Sequence, residues 1–191
     1  MEKRYKTDYF EKLDLLSSIC CNNISYSNII IASEKLVSTN ETETGAGIIK
    51  EIKTCLEKDY FAPFEREDIF LLSIKLNELS VNSRTLCICA QDSDFFGFPS
   101  NIISLASYLK NIADLMKTIF TRLKKYPKQD NLSVIFEKTE LLHTDFSNQI
   151  YYCLKQSKNN TYNTILHLIE KCEETCMEII HLIQYTLLKN S

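Results

Sequence analysis

Apolar residues recurring at alternating steps of three and four constrain this chain more than any other feature. Ile69, Leu72, Leu76, Leu79, Ser83, Leu86 and Ala90 keep that spacing across 65–90, and Ile102, Leu105, Leu109, Ile112, Met116, Ile119 and Leu123 keep it across 100–125. The spacing draws one stripe along a 3.6-residue helix and gives a strand, whose side chains alternate, no consistent face. Four further segments follow it. They are 5–37 through Leu13, Leu16, Cys20, Ile24, Ser27 and Ile31; 47–60 through Ile49, Ile52 and Leu56; 130–157 through Leu132, Ile135, Leu142, Phe146 and Cys153; and 160–189 through Tyr162, Ile165, Ile169, Cys172, Cys176, Ile179 and Ile183. With 3 Gly and 3 Pro in 191 residues, the chain has too few turn formers for a β-sandwich or an α/β sheet. The expectation is an all-α fold of six long antiparallel helices crossing at about 20°.

The punctuation between stripes divides the chain further. Ser38 to Gly47 is polar and reads as the first loop, and Ser157 to Asn160 reads as a turn, with Asp130 as a helix N-cap before the fifth segment. The stretch 91–101 carries Gly97, Pro99, Asp92 and Asp94, and separates two halves, 1–92 and 98–191, of three helices each. We read the whole of 1–191 as one domain.

Composition removes several classes of function. A formal charge of −3 offers no excess of Lys and Arg to neutralise a nucleic-acid backbone, and Arg122, Lys124, Lys125 and Lys128 instead suit a helix C-terminus before Pro127. No uninterrupted apolar run reaches the ~18–20 residues of a membrane span, and Met1 to Lys6 is not followed by a signal-peptide core, so a cytoplasmic protein is expected. The eight cysteines fall mostly on apolar helical positions, which predicts reduced, buried thiols. No Gly-rich phosphate loop or nucleophile elbow is present, and the expectation is a protein that is not an enzyme.

The least generic string is Phe61-Ala-Pro-Phe-Glu-Arg-Glu-Asp-Ile69. Pro63 cannot continue a helix and pushes Ala62 toward extended geometry, so the preceding helix should end near Tyr60. Glu65, Glu67 and Asp68 then place negative charge in the first turn of the next helix, with Arg66 among them as a partner; an exposed Asp68 there is worth roughly 0.3–1 kcal/mol. Together with Leu76-Asn77-Glu78-Leu79, this string resembles the PhoU-like phosphate-transport regulators, in particular the accessory proteins of Pit-type phosphate transporters. The resemblance implies two related three-helix units. It also implies a regulator or accessory of inorganic phosphate transport that binds a phosphate transporter or another regulatory protein, meets the membrane only through that partner, and is open to homo-oligomer formation.

The same resemblance implies Glu-x-x-x-Asp pairs that hold iron or zinc. In the first half those positions are Thr42, Ala46, Asn77 and Val81, with only Glu78 kept. The second half keeps Asp145, with Leu141 one turn before it and Glu140 and His143 beside it, and the pair Glu170 and Glu174. These amount at most to one weakly held metal ion. Two Glu-x-x-His motifs, Glu140/His143 and Glu178/His181, permit a rival carboxylate-bridged di-iron reading, which requires all four to point into the core. A helical-bundle adaptor with no phosphate role is the other alternative.

Overall fold

A computed structural model describes residues 9–33, 45–59, 62, 64–93, 97–124, 132–157 and 159–190. Among them are six helices and no strand: α1 Tyr9–Ala32, α2 Ala46–Lys58, α3 Arg66–Gln91, α4 Ser100–Leu123, α5 Ser133–Gln156 and α6 Asn160–Lys189. The all-α expectation holds, with boundaries within a few residues of those read from periodicity. Asp130, the expected cap of α5, and Pro63 lie outside the described residues. The Asn159 side chain accepts from the Thr161 and Tyr162 amides at 2.9 and 3.2 Å and so opens α6 where the turn was expected. The break expected at 91–101 falls between α3 and α4, where Gly97 takes a φ of 95°, open at little cost only to glycine.

α1 packs on α3 and α4, and α6 packs on the same two, so four helices close a ring around the core. α2 rests on α3 and the edge of α1, and α5 lies on α4 and α6. Side-chain contacts give the directions. Thr121 Oγ1 donates to Asp14 Oδ1 at 3.1 Å and Ser107 Oγ to Asn28 Oδ1 at 3.4 Å, so α1 and α4 are antiparallel. Cys20 Sγ donates to the Leu76 carbonyl at 3.2 Å and Ser27 Oγ to that of Ser83 at 3.5 Å, a constant offset that makes α1 and α3 parallel. Consecutive helices therefore run antiparallel, and the next but one runs parallel.

The expected stripes face the core. On α3, α4 and α6 every residue named is buried except Tyr162, which is half-buried; on α5 Leu142 is half-buried as well. α1 is enclosed on more than one side, burying Ser17, Asn23 and Ser27 in addition to its apolar stripe. Its length and composition, with a mean hydropathy of 1.2 over its most apolar 18 residues, would suffice to cross a membrane, and 56% of that stretch is buried in the bundle. The sequence reading missed this because serines and asparagines interrupt the run.

Residues 64–68 form a corner that joins four helices. Phe64 is buried edge-on against Phe10 of α1, ring centroids 5.1 Å apart. Arg66 does not pair with its acidic neighbours as expected; its guanidinium reaches back to the Asp59 carbonyl after α2. Asp59 in turn accepts from the Tyr9 hydroxyl at 2.9 Å. Glu65 and Asp68 both face Lys189 at the end of α6, the second at 3.7 Å, while Glu67 is exposed. Asp68 is buried rather than exposed, because α6 returns over the start of α3.

A buried first-turn carboxylate facing a lysine loses more on deletion than an exposed one. Asp68→Ala should lower stability by about 1–2 kcal/mol in urea titration. The eight cysteines are free thiols; six are buried, and burial pushes Cys21 and Cys172 up to about 12. An aromatic disulfide reagent should therefore titrate no more than Cys55 and Cys89 in the native protein, and all eight thiols after denaturation.

Candidate functional site

A groove of about 640 Å³ runs between α5 and α6, and it gathers most of the polar chemistry of the second half. α5 contributes His143, Ser147, Tyr151 and Lys155, with Phe146, Ile150 and Leu154 as an apolar wall, and α6 contributes Glu170, Glu173 and Glu174. Helical spacing explains the grouping, since residues three and four apart share a face.

Glu173 is the buried member. It is 1% exposed, and its Oε1 lies 2.8 Å from His143 Nδ1, a hydrogen bond that spans the two helices. Burial raises the Glu173 pKa above the ordinary value, and the His143 hydrogen bond opposes that rise; Glu174 and Glu170 add smaller repulsions. Glu170 is half-buried with His167 Nδ1 at 3.3 Å, and Glu174 is exposed.

Of the expected metal residues, the structure brings Glu170 and Glu174 to the groove and leaves Asp145 exposed on α5, outside the groove lining. Glu173, between them, escaped the sequence reading. A signal was present: Leu166, Ile169, Glu173, Cys176 and Ile180 also step by three and four, and Glu173 is the single charge on that second stripe. Among the described residues no three His, Cys, Asp or Glu side chains form a group able to hold a metal ion. With Asp145 apart and Glu173 engaged by His143, the donor set does not fit a tightly held iron or zinc.

The two Glu-x-x-His motifs meet at the surface and not in the core. His181 Nε2 meets Glu140 Oε1 at 2.6 Å with both side chains about half exposed, whereas Glu178 bonds Lys75 of α3 at 2.7 Å. His143 alone of the four turns toward a buried carboxylate. In the first half, Glu78 also pairs with Lys75, at 3.2 Å, Val81 is exposed, and Thr42 lies outside the described residues.

The whole architecture matches solved structures. A PhoU-like phosphate regulatory protein from Shewanella oneidensis MR-1 superposes with a TM-score of 0.64 over 95% of this chain and 100% of its own, at 13% identity. The chain has a PhoU-like fold. A second PhoU-like protein from the same organism gives a TM-score of 0.66, again over 95% of this chain and 100% of the other, at 12% identity. No family model matches the sequence, and no curated protein does. The fold is shared at 12 and 13% sequence identity.

Burial of Glu173 makes the stability of the fold depend on pH. A carboxyl whose folded pKa is raised holds its proton more tightly in the native state, so its contribution is fully present below the unfolded value. It is lost as pH rises from 4.5 through the raised folded value. Glu173→Gln should remove that loss, so the stability difference between variant and wild type should shift in favour of the variant across this window. Urea midpoints measured from pH 4 to pH 7 would show a constant difference if Glu173 titrates normally.

Proposed function

We propose that this chain is a non-enzymatic regulator or accessory of inorganic phosphate transport, working in the cytoplasm by binding a protein partner, with a Pit-type phosphate permease as that partner. The observation that carries the reading is the end-to-end likeness in fold to a protein described as a PhoU-like phosphate regulatory protein. The Phe61 to Ile69 string supports the Pit-type assignment. Regulation by contact also suits the chemistry of the α5/α6 groove. Its carboxylates, imidazole and ammonium can recognise a polar partner, and its strongest internal bond, His143 to Glu173, orders the groove itself.

Co-purification with the permease, together with phosphate uptake in cells lacking this protein, tests the proposal. Loss of the chain should alter uptake, and the permease should retain the tagged protein on a column. Unchanged uptake with no retention would leave a bundle adaptor without a phosphate role.

Metal content provides a separate check. We expect elemental analysis of the purified protein to find fewer than one tightly bound transition metal per chain, and chelation to leave the melting temperature unchanged, because no metal-holding cluster of side chains forms among the described residues. Two or more metals per chain, or unfolding by a chelator, would require a different alignment of the helices with the PhoU-like metal motifs.

A further inference from the structure

The α5/α6 groove has a charge polarity that its own side chains do not satisfy. His143 of α5 stands against Glu173 of α6, and the two helices run antiparallel, so Lys155, further along α5, lies beside the start of α6. Glu170, Glu173 and Glu174 crowd one end of the groove, and Lys155 marks the other, about 18 Å from His143 at the helical rise. Phe146, Ile150 and Leu154, at steps of four, form an apolar row between the two ends.

Neither end is neutralised from within. Elsewhere in the bundle acids meet lysines, as Glu51 meets Lys12 at 2.5 Å and Glu178 meets Lys75 at 2.7 Å. The groove acids have imidazoles instead, His143 on Glu173 and His167 on Glu170, and among the described residues no lysine or arginine pairs with any of the three. Glu170 and Glu174 also stand one turn apart on the same helix, a like-charge spacing that costs helix stability unless a cation answers it. Lys155 pairs with no carboxylate among the described residues; its Nζ lies 5.9 Å from the centroid of the Tyr151 ring, which is itself exposed.

An occupant of the groove must bring positive charge to the first end, apolar side chains to the row and negative charge to Lys155. A helix brings all three, since its N-terminal end carries the positive pole of its dipole and its C-terminal end the negative one. We infer that the groove receives an amphipathic helix of about 12 residues from a partner protein, basic in its first turns, with its N-terminal end over Glu170 and Glu174 and its C-terminal end at Lys155. That the occupant is a protein rests on the proposed function, regulation by contact. Cytoplasmic segments of membrane proteins are rich in Lys and Arg beside the bilayer, so a permease offers segments of this charge.

Fluorescence polarisation on the full chain tests the groove with a synthetic peptide of about 14 residues. The peptide carries leucines at helical spacing, lysines in its first two turns, alanine and glutamine elsewhere, and a free C-terminal carboxylate. It should bind with a Kd below about 100 µM at low ionic strength, and the same peptide with Glu for every Lys should not. Glu170→Gln with Glu174→Gln should weaken binding by roughly tenfold, whereas Glu57→Gln with Glu67→Gln, the same loss of charge at exposed positions of α2 and α3, should leave it within about twofold. Both variants should keep the circular dichroism of the wild type. Lys155→Glu separates a seated helix from general attraction to an acidic chain: it should weaken binding by opposing the C-terminal carboxylate, although it makes the protein more acidic. No binding, equal binding of the two peptides, equal effects of the two glutamine pairs, or tighter binding in Lys155→Glu would each overturn the inference. Groove-dependent binding of the peptide without retention of the permease would uphold the groove and refute the transport reading. Retention of the permease at the wild-type level by the E170Q/E174Q variant would refute the groove and uphold the transport reading.

Discussion

The structure depends on the burial of α1 between the two halves. α1 packs on α3 and on α4 over more of its surface than α6 does, and this double contact accounts for its unusual composition. Its buried polar residues are cut off from water and need partners inside the bundle, which the serines find and the Asn23 amide nitrogen does not. Ser17 donates to the Asp14 carbonyl at 2.8 Å, and Ser27 to the Asn23 carbonyl at 2.9 Å while also approaching the Ser83 carbonyl of α3. Cys20 and Cys21 extend the pattern, each sulfur donating to a neighbouring helix, one to α3 and one to α4. Small residues with a single donor allow close approach and leave nothing unpaired at those positions.

The corner around Phe64 supplies the second constraint. The motif that resembles phosphate-transport regulators holds helix ends together through its own side chains. Phe64 reaches α1, Arg66 reaches the residue after α2, and Glu65 and Asp68 meet Lys189 of α6. Negative charge at the start of α3 favours the positive end of that helix dipole, and the lysine at the end of α6 favours the negative end of its own. The contacts lock α3 and α6 antiparallel, and the Lys75–Glu178 pair at 2.7 Å repeats the same register further along. A motif with this many structural duties can persist for its geometry alone.

In the second half, the chain keeps a buried acid where the PhoU-like resemblance points to metal ligands. Glu173 loses its hydration on burial and regains one strong hydrogen bond from His143, an exchange that tightens the α5/α6 contact only while the pairing holds. The neighbouring acids, Glu170 and Glu174, sit nearer to solvent and raise the local negative potential without converging on a point.

How much of this was legible depends on the range of the physics involved. Helix type, number and extent follow from local periodicity and turn chemistry, so the stripes of α3 and α4 could be read residue by residue, and the start of α6 could be read from Ser157 to Asn160. Glu170 and Glu174 could also be placed on a polar flank from their phase alone. Three features required the tertiary structure. Asp68 became buried because α6 folds back across it from more than a hundred residues away; Arg66 turned to a carbonyl beyond its own helix; and Glu173 was chosen over its neighbours because α5 brings His143 to that one phase of α6. A sequence determines which face of a helix is apolar, since that depends on residues within a few turns. Which helix covers that face, and which charge is enclosed when it does, is decided by packing between segments distant in the chain.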